Sequence, residues 1–277
     1  MAFNRKAKLS GNIEAIRTAF LLDRESRPPT TQERVVLKSY CGFGGLKCIL
    51  NPADELTDAV YWSKSDLELF APTAELHKVI RENSDSPLQY KRYMDSLKAS
   101  VLTAFYTPRE ITETLTTVFR DHNIVPDRIL EPSAGSGVFI DAFSRLSPDA
   151  EIMAFEKDIL TGKILYHLHH DQQVRIEGFE KIEKPFNNHF DAAVSNIPFG
   201  DIAVFDPQYS KSNDAVLRSA TKRIHKYFFL KALDTVRDGG IVAFITSQGV
   251  LDAGSGPSFR EELFRRADLV SALRLPQ

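Results

Sequence analysis

The sequence predicts an α/β fold: a doubly wound, mostly parallel sheet preceded by a helical subdomain. Three observations predict it. From residue 105 onward, short apolar runs alternate with helical patterns, the order of repeated β-then-α units. Runs such as Ile152-Met153-Ala154-Phe155 and Ile241-Val242-Ala243-Phe244-Ile245 are apolar without interruption, as strands covered on both faces are. Residues 1–104 show helical spacing and no convincing strand alternation. Sheets of this kind have right-handed crossovers and bind ligands at the carboxyl ends of their strands.

Within residues 1–104, Ile13, Ile16, Phe20 and Leu21 recur at helix spacing. Pro28-Pro29 interrupts, Thr31 is expected to cap a helix over 32–40, and Cys41-Gly42-Phe43-Gly44-Gly45 stops it. Helical pattern returns at 67–70, 74–80 and 90–99. A second domain, 105–277, opens with Thr107-Pro108-Arg109-Glu110, a capping box with proline at the first helical position, which starts a helix running to about Phe119. Strands are expected at 128–131, 151–155, 173–176, 190–194, 240–246 and 269–274, and helices at 137–146, 158–169, 222–237 and 257–266. The polar, weakly periodic stretch 201–221 reads as a long loop.

Composition excludes several classes. A 43% hydrophobic content is ordinary for a soluble globular chain, and no apolar run reaches membrane-spanning length. The basic Met1–Lys8 segment lacks the apolar stretch of a secretory signal, and Cys41 and Cys48 form neither a disulfide framework nor a zinc motif. A cytoplasmic location is expected. The net charge of −2 argues against a chain built mainly as an electrostatic DNA clamp. His167, His169 and His170 read as a solvated helix end, so no metal is expected. Phe105, Phe228 and Phe229 read as core, and Lys222, Arg223, Arg260, Arg265 and Arg266 as exposed helix faces.

The chemistry concentrates at strand ends. Glu131-Pro132-Ser133-Ala134-Gly135-Ser136-Gly137 closes one strand in a Gly-rich turn, where absent Cβ atoms let the backbone approach a ligand. This is not the dinucleotide pattern G-x-G-x-x-G, and by itself it could equally be a structural turn. Glu156 ends the next strand, where an acidic residue can accept from both hydroxyls of a ribose. Phe179 follows the third strand; it could flank an adenine ring or pack into the core. Asn196-Ile197-Pro198-Phe199 ends the fourth. The Asn196 amide and the Ile197 carbonyl supply two acceptors for an amino group, Pro198 stiffens the turn, and Phe199 offers a stacking face.

On these motifs the chain resembles the gamma class of N6-adenine DNA methyltransferases. The likeness covers roughly 105–275 and runs through Phe105-Tyr106-Thr107-Pro108, Glu131–Gly137, Glu156 and Asn196-Ile197-Pro198-Phe199. Gly42–Gly45, Tyr227-Phe228-Phe229 and Gly239-Gly240 extend the likeness to large methylases joined to helicase-like modules. The resemblance implies S-adenosylmethionine as methyl donor and double-stranded DNA with a flipped adenine as acceptor. It implies a helicase-like module in the same polypeptide and a restriction-modification or mobile-element setting. Tyr106, Thr107 and Pro108 would border the methionine end of the donor. Glu131, Ala134, Gly135 and Gly137 would form its turn, Glu156 would hold its ribose and Phe179 would lie by its adenine. Asn196 and the Ile197 carbonyl would hold the target amino group, with Phe199 stacked on the base.

Two departures stand out. Ile197 replaces the family's usual first proline, which preserves the carbonyl and is expected to loosen the turn. The chain ends at Gln277 without a seventh strand or a target-recognition region, so a truncated form with a gap beside the fifth strand is expected. Two rivals share the motifs: transfer to RNA or to a protein glutamine amide, and a non-catalytic module that binds the donor or DNA within a larger assembly.

Overall fold

The computed structural model describes residues 4–103, 107–252 and 257–275. The first helices are α1 (Arg5–Glu25), α2 (Thr31–Lys38), α3 (Phe70–Glu82), α4 (Pro87–Thr103) and α5 (Arg109–Asp121). Then follow β1 (Arg128–Glu131), α6 (Val138–Leu146), β2 (Glu151–Phe155), α7 (Ile159–Leu168), β3 (Gln173–Arg175) and β4 (Phe190–Asn196). The remainder holds α8 (Pro207–Ser210), α9 (Ala215–Ala220), α10 (Ile224–Thr235), β5 (Val236–Ile245), α11 (Gly249–Asp252) and α12 (Pro257–Arg266). The strand order is β3-β2-β1-β4-β5. β1 pairs in parallel with β2 and β4, and β4 pairs in parallel with β5. The expected α/β fold is therefore present, with strand order reversing at β1 and β4, the place where such sheets open a ligand crevice.

The chain divides into two compact units that do not follow one cut in the sequence. The first comprises 1–108, 135–138 and 156–177; the second comprises 109–134, 139–155 and 178–277. In the first, α1 packs on α2, α3 and α7. Its core includes Leu9, Ile13, Ile16, Phe20, Leu37, Phe43, Leu76, Ile80, Leu97, Leu160 and Ile164. Thr30, rather than Thr31, caps α2: its hydroxyl accepts the Glu33 N–H while the Glu33 carboxylate accepts the Thr30 N–H. This reciprocal pair satisfies two helix-end donors at once.

In the second unit, Ile129, Leu130, Ile152, Met153, Ala154 and Phe155 are all buried, as expected of strands covered on both faces. A core of Leu130, Met153, Phe155, Phe190, Tyr227, Phe228 and Leu230 lies on one side, so Phe228 is core as expected, and Phe229 packs partly buried against it. Phe105 lies outside the described residues. The β4–β5 register jumps from Phe190↔Val236 to Ala192↔Ile241, a bulge built on Gly239 and Gly240. A Cβ on Gly240 would lie 2.8 Å from the Asp191 carbonyl oxygen, so only glycine fits there. Asp191 clamps this end of the strands, accepting from the Arg128 N–H at 2.7 Å and from Arg237 Nε at 2.6 Å. Burial alone would raise its pKa, but the bonds from Arg237 and Arg128 hold it at about 2.

Two expectations fail here. The stretch 201–221 is not simply a loop: Asp206 and Asp214 cap α8 and α9 through their carboxylates. Both are Asp N-caps, one followed by Pro207, a local signal that outweighs weak hydrophobic periodicity. Residues 269–274 form no strand, and Leu269, Val270 and Leu273 are exposed. Strand propensity does not make a strand without a neighbour to complete its ladder.

Candidate functional site

The turn after β1 is shaped by glycines. Gly135 and Gly137 have φ of 56° and 89°, in the left-handed region. A Cβ on Gly137 would collide with the His169 ring and lie 2.9 Å from Leu165 Cδ1. In the first unit the Gly135 N–H donates to Glu156 Oε2 at 2.8 Å, and the Asp158 N–H donates to Glu156 Oε1 at 2.7 Å. Backbone amides of Gly135, Lys157 and Asp158 orient the carboxylate, and an ionised carboxylate has about four lone-pair sites. Burial, then the nearby Asp158 charge, pushes the Glu156 pKa up to about 7, while the backbone bonds oppose the rise. Asp158 is held in turn by the Ser96 hydroxyl at 2.6 Å while it caps α7 through the Thr161 N–H. Thr107 is buried and Pro108 exposed in this unit; Tyr106 lies outside the described residues.

In the second unit Glu131 is buried at the end of β1, its Oε1 accepting the Ser133 N–H at 3.3 Å. Ala134 is buried and donates its N–H to the Phe155 carbonyl at 2.9 Å. Phe179 is 1% exposed and sits among Phe155, Tyr227 and Phe228, with centroid distances of 5.8, 6.4 and 5.4 Å.

Asn196 is the last residue of β4, paired with Ile245 at the carboxyl edge. Ile197 is buried and donates its N–H to the Ile245 carbonyl at 3.1 Å. A proline could not make that bond, so the isoleucine does not loosen the turn as expected; it ties the turn to β5 instead. Pro198 is half-buried and Phe199 is 54% exposed. The second unit thus brings together Glu131 and Ala134 after β1 with Asn196–Phe199 after β4, on neighbouring parallel strands.

Sequence reasoning missed the polar cluster that holds the segment following this turn. Asp206 is 2% exposed; its Oδ2 accepts from the Tyr227 hydroxyl at 2.8 Å and from Lys231 Nζ at 3.2 Å. Tyr209 donates to Asp234 at 2.6 Å, and Asp234 accepts from Arg266 at 2.7 Å, so Arg266 is not simply an exposed face. The available signals were the Asp206-Pro207 cap and a lysine inside the apolar run Phe228–Ala232. The histidines also differ from expectation. His167 is buried against Asp23 at 2.8 Å, and Asp23 also pairs with Lys163. His169 is buried beside Gly137, whereas His170 is exposed. Among the described residues no group of three or more His, Cys, Asp or Glu could hold a metal ion, and no helix is long and apolar enough to cross a membrane.

A model of the N-6 DNA methylase family matches residues 92–277, more than half of the chain. The chain belongs to the N-6 DNA methylase family. Within reach of this family assignment are two relatives. One is defense against restriction protein B of Escherichia phage P1, 30% identical over 178 residues, covering 62% of this chain and 7% of that protein. The other is the type II methyltransferase M.XamI of Xanthomonas campestris pv. amaranthicola, 30% identical over 172 residues, covering 58% of this chain and 32% of that protein. This N-6 DNA methylase chain therefore spans less than two thirds of the length of either relative. It is also similar to a solved Vibrio vulnificus YJ016 chain described as a modification subunit of a type I restriction enzyme. That match has 13% identity and a TM-score of 0.47, covering 91% of this chain and 68% of that one.

Proposed function

We propose that this chain transfers a methyl group from S-adenosylmethionine to the N6 amino group of adenine in DNA, with the motif order of the gamma class. The observation that carries the reading is the Asn196–Phe199 turn: two acceptor positions at the carboxyl end of β4, followed by an exposed aromatic ring. Family membership supports the same chemistry.

The donor fits the residues present. The oriented Glu156 carboxylate suits a ribose diol, and the left-handed backbone at Gly135 carries no Cβ to hinder close approach, whereas the Cβ space at Gly137 is filled by His169. By the resemblance alone, Tyr106, Thr107, Pro108, Glu131 and Ala134 are proposed as further donor contacts; Phe179, 1% exposed among aromatic rings, reads as core packing rather than as a face for the donor's adenine. When bound, S-adenosylmethionine supplies an electrophilic methyl on a positively charged sulfur.

An adenine amino nitrogen is a poor nucleophile because its lone pair is delocalised into the ring. Asn196 Oδ1 and the Ile197 carbonyl accept its two hydrogens and favour the pyramidal nitrogen of the transition state. This is differential binding rather than proton abstraction by a strong base. The nitrogen is buried in a duplex, so the base is flipped out, and Phe199 stacks on it. The phage and type II relatives support a restriction-related setting, and the length of the phage protein supports work within a larger polypeptide.

Transfer of labelled methyl from the donor to unmethylated DNA, RNA and protein tests the reading. Label in DNA as N6-methyladenine is expected; label only in RNA or protein, or donor binding without turnover in the full-length protein, overturns it.

A further inference from the structure

An exposed phenylalanine held on a rigid base needs a physical reason. Phe205 is 78% exposed, yet both of its neighbours are anchored. Val204 is buried and its N–H donates to the Thr221 carbonyl at 2.8 Å. Asp206 is buried against Tyr227 and Lys231 and caps α8. A free loop could turn its aromatic ring inward and gain hydrophobic burial. Here the inward positions on either side are taken, and Phe205 is presented outward. Ile202 is exposed on the same segment, which begins at the exposed Phe199.

We infer that Phe205 is a wedge that enters the base stack of duplex DNA when the target adenine leaves it. The inference rests on the DNA-methylating reading above and adds a residue to it. Two observations favour DNA as the occupant. Phe205 follows Phe199 by six residues, so the two lie within about 21 Å along any path of the chain. Phe205 therefore lies within about six base-pair steps, at roughly 3.4 Å per step, of a duplex engaged at Phe199. Residues 199–226 also carry five Lys or Arg against three Asp in a chain of net charge −2; Asp206 is neutralised by Lys231, and Asp201 pairs with Arg223. Flipping a base leaves a gap in the stack, and apolar side chains inserted between base steps fill such gaps.

The test compares F205A, F205W and F205K with wild type in the full-length protein, using unmethylated genomic duplex DNA and labelled donor. The wedge predicts that F205A lowers kcat/KM for DNA about tenfold, with donor binding unchanged. F205W retains activity within about threefold, and F205K, which adds attraction for phosphate but no stacking face, matches F205A. Phe205 is solvent-exposed, so the variants fold. Activity of F205A within about threefold of wild type, equal loss in F205W and F205A, or full activity of F205K overturns the wedge. An active wild type with an unimpaired F205A removes the wedge alone; a wild type that transfers nothing to DNA removes the methylation reading and the wedge with it.

Discussion

The turns after β1 and after β4 solve the same problem in opposite ways. After β1 the chain removes side chains: Gly135 and Gly137 take left-handed backbone, and a main-chain N–H is bonded to Glu156. After β4 the chain presents side chains: Phe199, Ile202 and Phe205 face solvent, and their segment leads into the buried Asp206–Lys231 pair. A turn made by deletion tolerates almost no substitution, because any Cβ meets backbone strain or a neighbour. A turn made by presentation tolerates change at its tips and fails when its brace is broken.

Replacing Asn196 by alanine removes one of the two proposed acceptors. Transfer should fall by about 10²–10³ while calorimetric donor binding is retained, by analogy with loss of a transition-state hydrogen-bond group. Persisting turnover would remove the chemical role assigned to the β4 turn.

Breaking the brace comes next. Lys231→Ala leaves Asp206 buried without its cation, and urea melts should show a loss of about 3–5 kcal/mol. A smaller loss in Phe205→Ala than in Lys231→Ala is what the contrast between tip and brace requires; the reverse order would break it.

Gly137→Ala probes the turn made by deletion. Left-handed strain and the collision with His169 should together cost about 2 kcal/mol. Adding His169→Ser should restore only part of it, since the backbone strain stays. Full recovery in thermal melts would show that the clash alone matters.

The smallest effect is a pH slope. Glu156 has a pKa near 7 in the folded chain against an ordinary 4.5. The folded state therefore holds this proton where the unfolded state has lost it, and stability falls as pH rises through that window. Asp158 is also raised, so Glu156→Gln should flatten the slope of Tm against pH rather than abolish it. Donor affinity of the wild type should rise over the same window, as the carboxylate ionises. An unchanged slope in the variant would show that Glu156 is not the group responsible.

Much of the architecture was legible. The uninterrupted apolar runs at 152–155 and 241–245 marked doubly covered strands because hydrophobic pattern and burial are the same physical fact seen twice. Gly135 and Gly137 stood out because glycine alone enters left-handed backbone without steric cost. Asn196-Ile197-Pro198-Phe199 stood out because its residue types suit an amino group. The Thr30 cap was misplaced by one residue because Thr30 and Thr31 are equivalent by type, and only the reciprocal bond with Glu33 separates them.

By itself, then, the sequence determined the order of β1–β5 and of the longer helices between them, though not α8 and α9, and the positions of the two strand-end turns, since these follow from local periodicity and residue type. Only the tertiary structure decided what depends on residues far apart in the chain. Ile197 gains its restraint from Ile245, Asp206 its partner from Lys231, and Gly137 its intolerance from His169. The run at 269–274 has strand chemistry and forms no strand, because a strand is completed by the neighbour it pairs with, and no local pattern supplies that neighbour.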